Sequence, residues 1–306
     1  MTTDLTRAAV CLACGSDEVR DHPASQVTGT VIRECRSCGL RAVRDRQTPE
    51  YYATLKYDGD VASFETWAST LRADRLASRH REALARLTEL VDVRHPSLFD
   101  VGAGDGDFLA TAQRAGFRPH GNELWPGAIE RARELRGIEL LQGELRHLQD
   151  PGSHDVVTMW CVLAHVPDED DLLRRVRMIL KPGGILILQT PRYSMLDTIA
   201  MALHDLSRGR WTRVSDRRLA DHHMSLHTEK SIRHLLNRHG FEVMTVEARA
   251  RWGFTTEAYM ESMRLPRPIA LIATKVVDAL VERDWFFRNA LDVYARRPDG
   301  RSSESV

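Results

Sequence analysis

The sequence predicts an α/β fold, a doubly wound and mainly parallel sheet preceded by a small metal-held ribbon. Three observations carry that prediction. Short apolar runs alternate with helical patterns through the middle of the chain. The first of these runs feeds a glycine-rich turn, and two Cys-x-x-Cys pairs stand near the start. Strands alternating with helices of this length give a parallel sheet with helices on both faces.

Composition sets the outer bounds. The chain has 306 residues, 42% apolar and 28% charged, which suits one large domain with an appendage or two modest ones and excludes wholesale disorder. Its 43 basic and 43 acidic side chains cancel. Non-specific nucleic-acid binding needs surplus positive charge, so that role is disfavoured. The opening MTTDLTRAAVCLACG has no signal-type apolar core, and the best apolar stretch, 265–281, carries Arg267, Lys275 and Asp278. A soluble, cytosolic protein is expected.

Cys11, Cys14, Cys35 and Cys38 form C-x2-C-x20-C-x2-C, and Gly15 and Gly39 follow the two pairs. Two such knuckles can present four thiolates to one tetrahedral ion. Disulfides would need an oxidising compartment, and a redox Cys-x-x-Cys is expected singly before a helix. The reading is a zinc ribbon over residues 1–48. Four thiolates leave no open position, so this zinc is structural, and it supplies stability that so short a segment cannot draw from apolar burial. Cys161, inside an apolar run, reads as a small buried hydrophobe.

The α/β elements follow in order. Ser97–Val101 is a buried-strand candidate leading into Gly102-Ala-Gly104-Asp-Gly106, and Phe108, Leu109, Ala112 and Ala115 continue as a helix. Glycines let a ligand approach the backbone, and the helix start offers unpaired N–H groups. Residues 117–123 form a second strand ending in Glu123, placed to accept both hydroxyls of a ribose. A helix over 128–135 and a strand over 138–141 come next, then a strand over 155–160 and a helix over 168–180. Lys181-Pro-Gly-Gly184 breaks that helix before a strand over 185–189.

These residues resemble the class I methyltransferases that use S-adenosylmethionine (SAM). The resemblance rests on FDVGAGDGDF (99–108), GNEL (121–124) with Pro126, and QGEL (142–145). It extends to DVVTMWCVLAHV (155–166), LKPGGI (180–185), DHHMSLH (221–227) and the stretch 235–243. It covers about residues 96–250, with a last strand at 289–296, and implies the family's seven-stranded, Rossmann-like sheet. The ribbon, with Tyr51, Tyr52 and Tyr57 after it, resembles a bacterial subgroup with a zinc-binding N-terminus. A dehydrogenase is disfavoured, because the third glycine comes one residue early for its fingerprint.

Carried over, Asp100 organises the glycine loop and faces the methionine amino group of SAM, while Gly102, Gly104 and Gly106 wrap the cofactor. Glu123 takes the ribose hydroxyls, Leu124 packs on adenine, and Glu144 and Leu145 contact the adenine amino group and ring. Trp160 and Cys161 border the methyl-transfer channel. Because the sulfonium is already activated, in-line placement of the acceptor carries most of the acceleration. A hydroxyl acceptor gains from a base, and histidine suits that work at neutral pH. His165 is the first candidate, followed by His222 and His223, with His227 in the same segment. Family members often carry Glu before the equivalent of His165, where this chain has Ala164.

The domain reading is a ribbon over 1–48, a helical linker over 49–95 and a methyltransferase domain over 96–306 with inserts at 191–220 and 253–286. Phe64, Trp67, Leu71, Leu76, Leu84 and Leu87 give the linker an amphipathic pattern. The first insert has five Arg and one Asp between Ser207 and Arg218; the second carries an apolar stripe of Ile269, Ile272, Ala273, Val276 and Leu280. That stripe suits a lid, a dimer face or a peripheral membrane contact. The leading function is methyl transfer from SAM to oxygen of a small molecule or glycan intermediate. Two rivals stay open: an RNA methyltransferase and a non-catalytic SAM-binding protein. For the first, the chain resembles some rRNA guanine methyltransferases that also carry an N-terminal zinc site, and Arg33, Arg36, Arg41, Arg44 and Arg46 cluster on the ribbon despite zero net charge.

Overall fold

The computed structural model describes residues 10–46, 73–145, 151–219, 223–250 and 288–299, with residues 68, 272, 274 and 275 besides. Tyr51, Tyr52, Tyr57, Phe64, Trp67, Leu71 and His222 lie outside the described residues, as does the apolar stripe of the second insert except Ile272.

Strands β1 (Val19–Asp21), β2 (Ile32–Cys35) and β3 (Arg41–Val43) build the ribbon. Helix α1 (Ala73–Leu90) leads to β4 (Ser97–Val101), α2 (Asp107–Arg114), β5 (Arg118–Glu123), α3 (Pro126–Arg136) and β6 (Leu141–Gln142). Next come β7 (His154–Trp160), α4 (Glu169–Ile179) and β8 (Leu180–Pro191). The insert folds as α5 (Met195–Leu206) and α6 (Arg213–Arg218). The chain continues through β9 (Ser225–Leu226), α7 (Glu229–Arg238), β10 (Glu242–Arg249) and β11 (Ala290–Arg296).

Seven strands form one sheet in the order β10-β11-β8-β7-β4-β5-β6, with β11 antiparallel to both neighbours and the remaining pairs parallel. Alternate residues go to opposite faces, as a pleat requires. Val157, Met159, Leu186 and Leu188 join one buried cluster, while Val156, Ile185 and Ile187 join another beneath α1 and α2. Two expected strands change length. The strand expected at 138–141 shrinks to Leu141–Gln142, because left-handed Gly137 caps α3 and the Ile138 N–H returns to the Ala132 carbonyl. The strand expected at 185–189 begins already at Leu180 and so includes the Lys-Pro-Gly-Gly segment.

The ribbon is knit into the sheet domain. β9 adds to β3 as an antiparallel partner, giving the order β1-β2-β3-β9. Beside that ladder, Thr228 Oγ1 donates to the Cys38 carbonyl at 2.6 Å and Lys230 Nζ to the Ser37 carbonyl at 2.6 Å. Arg46 reaches Glu169 at 3.2 Å with both side chains almost fully buried. Cys11, Cys35, Cys38 and Leu40 share one apolar cluster with Leu173, Ile232, Leu235 and Phe241. Among the described residues no helix is long and apolar enough to cross a membrane.

Candidate cofactor and acceptor site

The chain runs from β4 outward through β5 and β6, then crosses back to β7 on the other side of β4. The crevice at the carboxyl ends of β4 and β7 is therefore the topological switch point, where open α/β sheets bind ligands. Asp100 and Thr158 are register partners there, and Thr158 Oγ1 donates to Asp100 Oδ1 at 2.6 Å. Burial pushes the Asp100 carboxyl up to about 8, against the Thr158 hydrogen bond and the nearby Arg79 cation.

The three glycines of the turn do different work. A Cβ on Gly102 would sit 2.8 Å from Val162, and one on Gly106 would sit 3.2 Å from Ala132, so both are needed for close packing. A Cβ on Gly104, at φ +57°, would meet nothing within 4 Å. Gly104 is thus the residue that leaves room for a ligand. Its N–H donates to Glu123 Oε2 at 2.7 Å, while Glu123 Oε1 accepts from the N–H groups of Leu124 (2.6 Å) and Trp125 (3.1 Å). Burial nonetheless raises the Glu123 carboxyl, outweighing these three donors. Gly143 N–H bonds the Glu123 carbonyl, and Asn122 Nδ2 bonds the Gly143 carbonyl, which holds half-buried Glu144 and buried Leu145 beside the end of β5. Leu124, at the same end, is half-buried.

Trp160 closes the other wall. Its ring lies 4.9 Å from Phe108 and 5.6 Å from His80, with the Arg79 guanidinium 4.7 Å over it. Trp160 Nε1 is buried without a hydrogen-bond partner among the described residues. Arg79 donates to Gln189 Oε1 at 2.7 Å, and Gln189 donates to Asp292 at 2.8 Å. Burial depresses His80, whose Nδ1 lies 3.3 Å from Asp107. Sequence reasoning missed Arg79, His80, Thr158 and Gln189. A readable signal existed for His80, which interrupts the apolar stripe of Leu76, Leu84 and Leu87 at helical spacing. An open face at Gly104, an orphaned donor on Trp160 and two buried carboxyls fit a cationic nucleoside of the SAM type.

Past β7 the chain makes an unusual turn. Cys161 adopts φ +65°, which costs a residue with a Cβ of the order of 1–3 kcal/mol. Its N–H is pinned to the Gln189 carbonyl at 2.9 Å. The turn directs Cys161 Sγ to 3.8 Å from His165 Nε2 and 3.7 Å from His223 Nε2. His223 Nδ1 lies 2.9 Å from the Arg218 carbonyl, which can only accept. In the neutral ring Nδ1 therefore carries the proton and Nε2 keeps its lone pair. A bond from Met224 N–H to the Ala164 carbonyl, 2.7 Å, holds the two histidine segments together. Two expectations are corrected here. Cys161 is a half-buried member of this cluster and not a core hydrophobe. His227 is fully buried, bonded to Ser231 and 3.6 Å from Glu169, so it braces the fold and faces no ligand space.

The four ribbon cysteines converge with all sulfurs within 4.8 Å, Cys11–Cys38 at 3.5 Å and Cys14–Cys35 at 3.7 Å. A tetrahedral zinc at the usual Zn–S length spaces sulfurs by about 3.8 Å. The donor set and geometry fit a zinc ribbon. The contact between Cys11 and Cys38 lowers the Cys11 thiol and, with burial, raises that of Cys38. Most of the ribbon's arginines are already partnered by carboxylates: Arg33 with Asp21, Arg41 with Glu34, Arg44 with Asp45 and Arg46 with Glu169.

Comparison with known proteins agrees with this geometry. A family model described as a methyltransferase domain matches residues 68–246. That span starts at the helical segment before β4. A ubiquinone biosynthesis O-methyltransferase of Albidiferax ferrireducens is 31% identical over 113 residues, 34% of this chain and 44% of that protein. One of the same name from Ralstonia nicotianae is 33% identical over 99 residues, 30% of this chain and 41% of that protein. The chain thus spans less than half the length of these curated relatives. The solved structure of a Galdieria sulphuraria protein, described as a candidate sarcosine dimethylglycine methyltransferase, superposes with a TM-score of 0.51 at 16% identity. It covers 82% of this chain and 97% of its own. At that identity the likeness concerns the fold.

Proposed function

The chain belongs to the methyltransferase-domain family; on that premise we propose that it is a SAM-dependent methyltransferase and methylates a hydroxyl oxygen of a small molecule. The observation that carries this reading is the Cys161, His165 and His223 cluster beside Trp160 at the end of β7. The O-methyltransferase names of the partial relatives support it.

SAM, when bound, supplies a methyl on a sulfonium, ready for in-line attack by a nucleophile. The residues that would hold it are Asp100 toward the ammonium, Gly102, Gly104 and Gly106 around the tail, and Glu123 toward the ribose. Leu124, Glu144 and Leu145 would hold the adenine, and Trp160 would close the channel. Arg79, close to Asp100 and Gln189, suits the carboxylate end of such a ligand. Phe108, His80 and Trp160 pack edge to face and keep water from that wall. On the acceptor side, His165 and His223 relieve the hydroxyl of its proton, with Nε2 of His223 the nitrogen that carries the lone pair.

Zinc in the ribbon would hold Cys11, Cys14, Cys35 and Cys38 together, away from the chemistry. The carboxylate partners of Arg33, Arg41, Arg44 and Arg46 count against an RNA acceptor, because paired guanidiniums offer little to phosphates. The test is incubation with labelled SAM and fractionated small phenols, sugars and host metabolites. An O-methylated product identified by mass supports the reading. S-adenosylhomocysteine formed only with RNA, or SAM bound with no turnover on any fraction, refutes it.

A further inference from the structure

We propose that Cys161, His165 and His223 form a second metal site, distinct from the ribbon, that takes a borderline divalent ion of the zinc class. Their three ligand atoms lie within 4.8 Å of one another. The sulfur-to-nitrogen distances are 3.7 Å and 3.8 Å. A tetrahedral ion at ordinary Zn–S and Zn–N lengths separates sulfur from nitrogen by about 3.6 Å, so these two distances already lie within tenths of an ångström of ligation.

Three further features point the same way. His223 donates its Nδ1 proton to the Arg218 carbonyl at 2.9 Å, the outer hydrogen bond that fixes a ligating imidazole with Nε2 toward the ion. Cys161 holds left-handed backbone at φ +65°, a conformation that a buried apolar filler has no need of. The backbone bonds from Cys161 to Gln189 and from Met224 to Ala164 pre-set the spacing of the three residues across separate segments.

The ligand count separates this site from the ribbon. Four thiolates close a structural centre, whereas among the described residues three mixed donors converge, and we assign the fourth tetrahedral position to an exogenous oxygen. Assigning that oxygen to the methyl acceptor rests on the function proposed above; the ion itself rests on the three side chains alone. A hydroxyl bound there gives up its proton to water as its oxygen bonds the ion, with no change in oxidation state. When bound, the ion lowers the hydroxyl's pKa, and His165 and His223 serve as its ligands; the base role proposed above belongs to the metal-free cluster.

The experiment uses the full chain, first brought by mild chelation to one zinc per molecule, then titrated with zinc chloride by calorimetry alongside metal analysis. We expect a second binding event, bringing the total to about two ions per chain. Cys161→Ser and His223→Ala should each weaken that event by about tenfold or more while keeping the first ion, with circular dichroism checking the fold. No second event, or one unchanged in both variants, overturns the site. If either variant unfolds, cobalt substitution in the wild-type chain decides. An absorption spectrum of mixed sulfur and nitrogen ligation for the second equivalent sustains the site, and thiolate-only or oxygen-only ligation overturns it. S-adenosylhomocysteine binding in the same samples is read separately. Its failure with the second zinc retained counts against the cofactor reading alone.

Discussion

Ala42 of β3 and Ser225 of β9 are register partners in an antiparallel ladder that joins the ribbon to the sheet domain. Two residues before Ser225 stands His223, so the cysteine-held ribbon sets the position of a residue in the acceptor cluster. The adjacent bond from the Val43 N–H to the Met224 carbonyl, 2.9 Å, tightens the same link. The ribbon is in effect a clamp on the segment that we propose faces the acceptor.

Removing the ribbon's metal should therefore loosen the acceptor side before the sheet. Hydrogen exchange followed by mass spectrometry should show amides of 223–228 exchanging at least about tenfold faster after full chelation, with β4 and β7 still protected. Unchanged exchange at 223–228 would show that the ladder holds without the metal.

The Arg46–Glu169 pair makes a second link between ribbon and core. Burial pushes the Glu169 carboxyl up, but Arg46, His227 and Ser225 outweigh it and bring it to about 2. A carboxyl held below its ordinary value stabilises the fold above that value, and the gain is lost as pH falls toward 2. Arg46→Ala should cost about 3–5 kcal/mol at pH 7 by leaving a buried charge unpaired. Urea unfolding at pH 7, 4 and 3 checks both points. A loss in Arg46→Ala below about 1 kcal/mol, the surface-pair range, would contradict the burial argument.

The sheet was largely readable from the sequence because strand and helix periods, glycine turns and helix caps are local signals. Asp168 caps α4 by accepting from the Asp171 N–H, and Thr228 caps α7 by accepting from the Ser231 N–H. The four cysteines were legible for the same reason, through fixed spacing. The acceptor cluster was not. Cys161, His165 and His223 lie on a strand end, a short 3-10 turn and the segment before β9, and only the left-handed turn at Cys161 aims the sulfur at both rings. Arg79 was hidden because a helical stripe shows which face is buried without showing what it covers, and the stripe marked His80 without showing its partners. β9 was invisible as a strand, since two residues carry no period and their pairing comes from the ribbon.

Asp100 gives the cleft a pH signature. With its carboxyl raised from an ordinary value near 3.8 to about 8, the folded chain keeps a proton that the unfolded chain has lost. Its contribution to stability is full below the ordinary value and is lost as pH rises toward 8. A ligand ammonium beside it favours the ionised form, so binding must expel that proton. S-adenosylhomocysteine affinity should rise from pH 6 to 8, by up to about tenfold per pH unit, and level off above. Asp100→Asn should bind weakly with no such slope; a wild-type profile flat over that range would contradict the placement.

Arg79 should matter to the cofactor although it lies outside the glycine motif. Arg79→Ala removes the hydrogen bond to Gln189 and the cation over Trp160. Cofactor affinity should drop by about tenfold or more, the scale of one charge-assisted contact, and Arg79→Lys should restore it only in part. Trp160 quenching on titration reads this directly. Equal affinity in wild type and Arg79→Ala would remove Arg79 from the site.

The central claim is that the crevice above β4 and β7 binds SAM through the open face of Gly104. Calorimetric titration of SAM into wild type and Gly104→Arg tests it most directly, since the new side chain enters the space that a Cβ there would find empty within 4 Å. The account predicts one SAM per chain in the wild type and loss of measurable binding in the variant, with the thermal transition retained. Normal binding by Gly104→Arg, or no binding by the wild type, would contradict it.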